Sequence, residues 1–363
     1  MRSTRPWFVA HPRHPLRTAL VILAALFAAS ALSAAPAVVP TSAQDMMDAL
    51  SKAHSSVVGV RVTTAEGARS AETLGQQRRG SGVMIGEDGL ILTIGYLLLE
   101  AEQIEIVTQD RKLLPARQVA YDLATGFGLL RPLLPLPQSS GINAVPLGSA
   151  DALATGDALM AVTGDQRGQE GDVNMTRLVS KRAFSGNWEY HIESALFTSP
   201  PLVASGGNHS GAPLFNQRGE LIGIGSLLVS DASGKNKGGM PGNMFVPVDL
   251  LRPILAELQQ SGTSGKSRRP WLGLTSNEQD GQVQIVRVTR DSPAQEAGMR
   301  AGDVVLAVDD AKVATLEDFY KKIWDRAAPD SEVTLKVQQG DEVKTLVLKA
   351  QDRMRTLKKP SGI

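Results

Sequence analysis

The chain reads as mostly β, a larger barrel- or sandwich-forming region followed by a smaller α+β unit. Composition, strand spacing and one linker carry this reading. Glycine (35) and proline (20) are plentiful while aromatic residues make up 4%, which favours many short strands and turns over long helices. Runs such as "VVGVRV", "GSGVMIG", "LILTIGYLLL", "IEIVT", "ALMAVTG", "LIGIGSLLV" and "NMFVPV" recur at short intervals between turn signals, the pattern of an antiparallel barrel or sandwich. After them comes a small, polar and basic stretch within "SGTSGKSRR", and then a second patterned region.

The first element is a leader over residues 1–35. Arg2, Arg5, Arg13 and Arg17 precede the apolar run Thr18 to Leu32, and "SAAPA" follows. A basic start, an apolar core and small residues are the three parts of a secretory signal, with cleavage expected after Ala35. An uncleaved N-terminal anchor is the rival reading, because the run is only slightly shorter than a membrane span. It would bring membrane association. Either way the remainder is exported. Losing those four arginines changes the formal charge from +1 to −3, so nothing in the charge calls for a nucleic-acid partner. The chain has no cysteine, which excludes a disulfide framework, a thiol nucleophile and cysteine-based zinc sites.

Residues 45–262 form the larger domain. "DMMDALSKAHSSVV" predicts a short helix running into a strand, and "PVDLLRPILAELQQSG" predicts a closing helix with Leu250, Leu251, Ile254, Leu255 and Leu258 on one face and Gly262 at its end. Residues 263–269 are the linker, and 270–352 the compact second unit. There "WLGL" and "QVQIVRV" predict strands, "SPAQEAGM" a short capped helix, and "TLEDFYKKIWDRA" an amphipathic helix with Thr315 as N-cap and Asp318 three residues on. The basic tail, 353–363, is expected to be mobile.

The chemistry centres on Ser210 in "GGNHSGAPLF". A serine hydroxyl is a poor nucleophile at neutral pH and needs a base within hydrogen-bond reach, together with donors for the oxyanion. Three histidines follow the leader: His54, His191 and His209. His209 adjoins Ser210, and neighbouring side chains on a sharp turn diverge. No histidine pair has metal-ligand spacing, so neither a metal nor another cofactor is expected.

The order of these motifs resembles the HtrA/Deg family, exported proteases with a trypsin-like double β-barrel followed by a PDZ domain. "GSGVMIGEDGLILT", "VPLGSADALATGDALMAVTG" and "HSGAPLFNQRGELIGIGS" carry the resemblance in the first domain, and "DSPAQEAGMRAGDVVLAVDD" carries it in the second. The family's histidine follows the "ILT" strand, where this chain reads "ILTIGYLLL" and has Tyr96. Its aspartate falls on Gly126, with Asp122 matching an earlier, noncatalytic acid. Asn208 stands where a glycine shapes the oxyanion hole. Ser210 is thus a remnant nucleophile with degenerate partners at Tyr96 and Gly126. In the PDZ domain the resemblance sets the carboxylate-binding loop at "WLGL", Trp271 to Leu274, where Gly273 lets backbone amides converge on a carboxylate. By side-chain periodicity Leu272, Leu274, Phe319 and Ile323, the helix pair sharing one face, are candidates for the pocket of a peptide's last side chain, with plain core packing as the rival reading. The implied function is that of an exported, periplasmic pseudoprotease that binds peptide C-termini or unfolded proteins, as an adaptor or regulator or in protein quality control. A serine endopeptidase with an unorthodox site, and a scaffolding subunit that assembles with an active homologue, are the alternatives. The resemblance also implies a homo-oligomer, a trimer built through the first domain.

Overall fold

Strands of alternating burial close on themselves when each edge finds a partner, and the first half of the chain does this. The computed structural model describes residues 42–136, 141–164, 171–202, 209–234, 239–325 and 329–358. The leader read at residues 1–35 and the Asn208 position lie outside the described residues. Ahead of the first strand, a helix covers Ala43–Ser55 (α1). The strands β1 (Val57–Thr64), β2 (Gln77–Met84), β3 (Ile91–Ile94), β4 (Ala101–Val107), β5 (Leu113–Tyr121) and β6 (Phe127–Pro132) form a closed barrel in the order β1-β2-β3-β6-β5-β4. A short helix, α2 (Ala71–Leu74), lies between β1 and β2.

A second closed barrel follows from β7 (Ala158–Val162), β8 (Val173–Gly186), β9 (Tyr190–Ser199), β10 (Pro213–Phe215), β11 (Leu221–Val229) and β12 (Gly242–Pro247), ordered β10-β11-β12-β9-β8-β7. Phe127, Leu129, Phe197, Phe215 and Ile224 belong to one apolar core that runs through both barrels. Closure leaves no open sheet edge in either barrel. The closing helix of the sequence reading is shorter than expected: a 3-10 turn spans Val248–Leu250 and the α-helix α3 covers Leu255–Ser261. Pro253 lacks an amide hydrogen for the ladder, so the helix proper starts after it. Gly262, with φ +74, caps its end.

The smaller unit is built on β14 (Leu274–Gln279), β15 (Gln282–Val288), β16 (Val304–Val308), β18 (Glu332–Gln339) and β19 (Glu342–Lys349), hydrogen-bonded in that order, with β17 (Ala311–Lys312) pairing β16. A two-stranded ribbon of β13 (Pro270–Trp271) and β20 (Gln351–Asp352) brings its two ends together. Helix α4 (Pro293–Glu296) is capped by Ser292, and α5 (Leu316–Trp324) by Thr315, each accepting from the amide three residues on. Leu316, Phe319, Tyr320 and Ile323 are the buried face of α5, the i, i+3, i+4, i+7 spacing of an amphipathic helix.

The tail corrects an expectation. Residues Arg353–Thr356 form a helical turn, α6, and Met354 and Leu357 pack on the patch made by Leu99, Tyr121 and Leu123. Lys358 then donates its amide to Glu100 at 3.0 Å. Counting the tail's charge hides the apolar pair three residues apart, which becomes the docking face.

Candidate functional site

Strand register brings Tyr96 and Gly126 together. In the β3–β6 ladder Ile94 pairs with Phe127, and one step further Gly95 donates its amide to the Gly126 carbonyl at 2.7 Å. Tyr96 follows in a 3-10 turn, Gly95–Leu98. That turn is clamped by Arg78, a buried guanidinium on β2 that donates to the carbonyls of Tyr96 (3.0 Å) and Leu99 (2.8 Å). Ser210 comes from the other barrel. Its carbonyl accepts from Ser81 on β2 at 2.8 Å, and the next amide, Gly211, donates to Gly225 on β11 at 2.8 Å. With both backbones fixed, Tyr96 Oη lies 2.7 Å from Ser210 Oγ.

The phenol also reaches the Ser226 carbonyl at 2.9 Å. The β11–β12 ladder slips between Gly225 and Leu227, and this bulge turns the Ser226 carbonyl toward the cleft. A phenol carries one proton and a carbonyl can only accept. When Tyr96 gives its proton to Ser226, its oxygen is left to accept from Ser210. Burial pushes the Tyr96 hydroxyl up to about 12, with the Ser210 hydrogen bond opposing that rise. At neutral pH the group is therefore a proton donor or a neutral acceptor, and it is too weak a base to make an alkoxide of Ser210.

Gly126 offers no carboxylate to such a base. Its φ of +82 is a left-handed conformation, and an added Cβ would stand 3.2 Å from Tyr190 Oη. Tyr190 donates that hydroxyl to the Thr125 carbonyl at 2.6 Å, so an aromatic side chain closes the position from β9. Asp122 is fully buried and accepts from Thr125 N and Oγ on one oxygen and from the hydroxyls of Ser264 and Ser267 on the other. It holds the linker to the first barrel. His54 lies in the last turn of α1, and burial lowers the pKa of His209. His191 Nδ1 lies 2.9 Å from Ser185 Oγ. The His191, Glu193 and Glu317 ligand atoms do cluster, a grouping that histidine spacing alone does not reveal. Lys321 Nζ already bridges the two carboxylates at 2.8 and 2.7 Å, so a metal there would have to expel an ammonium.

The loop before β14 gathers its amides on a carboxylate, and that carboxylate is the chain's own. Glu189 Oε1 accepts from Gly273 N and Leu274 N at 2.7 Å each, and Oε2 accepts from Leu272 N at 3.0 Å. Gly273 has φ +86, and an added Cβ would fall 2.3 Å from Ser292 Cβ, so the loop needs glycine there. Leu272, Leu274, Phe319 and Ile323, the pocket residues of the sequence reading, are all buried in one core cluster. Burial raises the pKa of Glu189, and the three amides oppose that rise.

Comparison with known proteins agrees with this layout. Residues 80–224 match the trypsin-like peptidase domain model and 270–350 the PDZ domain model. The chain is 27% identical over 283 residues to a probable periplasmic serine endoprotease DegP-like of Pseudomonas fulva, covering 74% of this chain and 55% of that protein. It is 25% identical over 263 residues to the serine endoprotease DegS of Haemophilus influenzae, covering 71% and 72%. The solved structure of the HtrA-type protease AlgW with decapeptide superposes with a TM-score of 0.51 at 21% identity, over 87% of this chain and 99% of that one. In both domains and in their order the chain is similar to HtrA-type proteases. It spans about half the length of the DegP-like relatives it matches.

The sequence points to Ser210, Tyr96, Gly126 and the loop at Gly273, and the structure sets Tyr96 Oη beside Ser210 Oγ. The sequence reading missed Glu189, Tyr190 and Arg78. His191 stands among the three histidines of the sequence reading, whereas Glu189, two residues earlier, makes the contacts to the loop at residues 272–274.

Proposed function

We propose that this chain is an exported HtrA-type pseudoprotease that binds peptide C-termini or misfolded chains through its PDZ domain, acting in protein quality control as an adaptor or regulator. The observation that carries the reading is Tyr96 Oη at 2.7 Å from Ser210 Oγ, where catalysis needs an imidazole. A triad lacking its base and its orienting acid keeps little of its rate enhancement. Residues 45–262 supply the protease fold and 270–352 the peptide-binding module, a division supported by the two family-model matches. Export to the periplasm rests on the Arg-rich leader and on the periplasmic naming of the relatives. The test compares the purified protein with Ser210→Ala for casein cleavage and fluorophosphonate labelling. Equal, background values are expected, and Ser210-dependent turnover would overturn the proposal.

A further inference from the structure

We propose that the Glu189 turn is an internal ligand of the PDZ domain, held in the carboxylate loop until a free chain terminus displaces it. The inference rests on the peptide-binding reading above and adds what the site holds when no peptide is bound. The β8–β9 ladder runs to the pair Gly186–Tyr190, leaving Asn187, Trp188 and Glu189 as the hairpin tip. This tip makes contacts of the kind a bound peptide would make, to the carboxylate loop, to the edge strand and to the helix. Its carboxylate takes the amides of Leu272, Gly273 and Leu274. Its main chain meets the edge strand β14, where Ser276 N donates to the Asn187 carbonyl at 2.8 Å. On the helix side, Tyr320 of α5 donates its hydroxyl to the Gly186 carbonyl at 2.8 Å and accepts from Glu189 N at 3.3 Å. The tip therefore lies between β14 and α5.

Backbone geometry separates this arrangement from an incidental contact. Glu189 has φ +57, at the last position of a three-residue hairpin loop, where a left-handed residue is required and glycine is favoured. A glutamate tolerates that conformation poorly. What it gains over glycine is the carboxylate that fills the loop. The two oxygens already engage all three amides, so a peptide terminus and Glu189 exclude each other. Apparent peptide affinity is then the intrinsic affinity scaled by the fraction of molecules with the tip undocked.

The test uses the full chain and a labelled peptide of about eight residues with a free C-terminal phenylalanine, beside its amidated twin. Glu189→Gln keeps the shape but turns an amide group toward backbone donors. It should bind the free-acid peptide about tenfold more tightly than wild type, as expected for a tip docked in about nine molecules of ten. Amide hydrogen exchange at Leu272, Gly273 and Leu274 should speed up in the unliganded variant. Tyr320→Phe, which loosens the tip without altering its charge, should shift both readouts in the same direction and covers the case in which Glu189→Gln folds poorly. Unchanged exchange with equal peptide affinity in all forms overturns the internal ligand and leaves the peptide-binding reading standing. Faster exchange with no binding of the free-acid peptide by any form overturns displacement together with that reading.

Discussion

Tyr96 and Ser210 share a hydrogen bond across the junction of the two barrels, with Oη and Oγ 2.7 Å apart. The same phenol bonds the Ser226 carbonyl, so it ties the serine turn to the bulge in β11. Tyr96→Phe should leave that carbonyl without its donor and cost about 1–3 kcal/mol, the penalty for a buried unsatisfied group. Urea denaturation measures this. Tyr96→His should restore no turnover, since an imidazole without an orienting carboxylate lacks the correct tautomer and position. Casein cleavage by Tyr96→His above that of a Tyr96→His/Ser210→Ala control would contradict this expectation.

The left-handed backbone at Gly126 restricts which side chains can stand there. Gly126→Ala adds a Cβ at φ +82, close to Tyr190 Oη, and should destabilise the protein by about 1–3 kcal/mol. Gly126→Asp should cost less than Ala, because aspartate accepts positive φ more readily. Chemical denaturation of the two variants gives the order, and a neutral Gly126→Ala would show that the constraint is absent.

Tyr96 and Gly126 were legible through motif resemblance, because each adjoins a short strand, Tyr96 just after β3 and Gly126 just before β6, and the β3–β6 ladder sets the two side by side. Ser292 and Thr315 were legible as caps for a similar reason, since capping is local. Glu189 was not. Its importance depends on a partner loop at residues 272–274, distant in sequence, and no local pattern distinguishes a hairpin glutamate that stays in solvent from one that is buried. Arg78 was hidden in the same way, as a charge within a strand whose acceptors are carbonyls of a later turn. The docked tail was misread because Met354 and Leu357 are too few to register as a helix face, and the patch they cover is assembled from Leu99, Tyr121 and Leu123.

Asp122 is a structural acid with a large expected effect. It is fully buried and serves donors from Thr125, Ser264 and Ser267. Asp122→Ala strands these donors away from water and should cost about 3–5 kcal/mol, in the range for breaking a buried hydrogen-bond network. Asp122→Asn turns an amide group toward hydroxyl and backbone donors and should recover only part of the loss. Thermal melting ranks the three proteins, and an Asp122→Ala variant as stable as wild type would show that the linker does not depend on this anchor.

Glu100 gives a pH dependence whose sign can be worked out. Its side chain is buried beside Arg78 and accepts from Ser70 N (2.8 Å), Ser70 Oγ (2.7 Å) and Lys358 N (3.0 Å). Burial pushes the carboxyl up, but the donors from Lys358, Ser70 and the Arg69 backbone together outweigh it and hold the group below the ordinary glutamate range. A folded-state pKa below the unfolded value of about 4.3 contributes stability that is fully present above that pH and is lost as pH falls through the folded value. Glu100→Gln removes the contribution and should cost about 1–3 kcal/mol at pH 7, the scale of hydrogen bonds to a charged acceptor. The stability difference between wild type and Glu100→Gln should stay level from pH 7 to about pH 5 and narrow below about pH 4.3. Since Lys358 is one of the donors, a chain ending at Asp352 should show a smaller difference at pH 7, whereas an unchanged difference would place the whole effect on Arg69, Ser70 and Arg78.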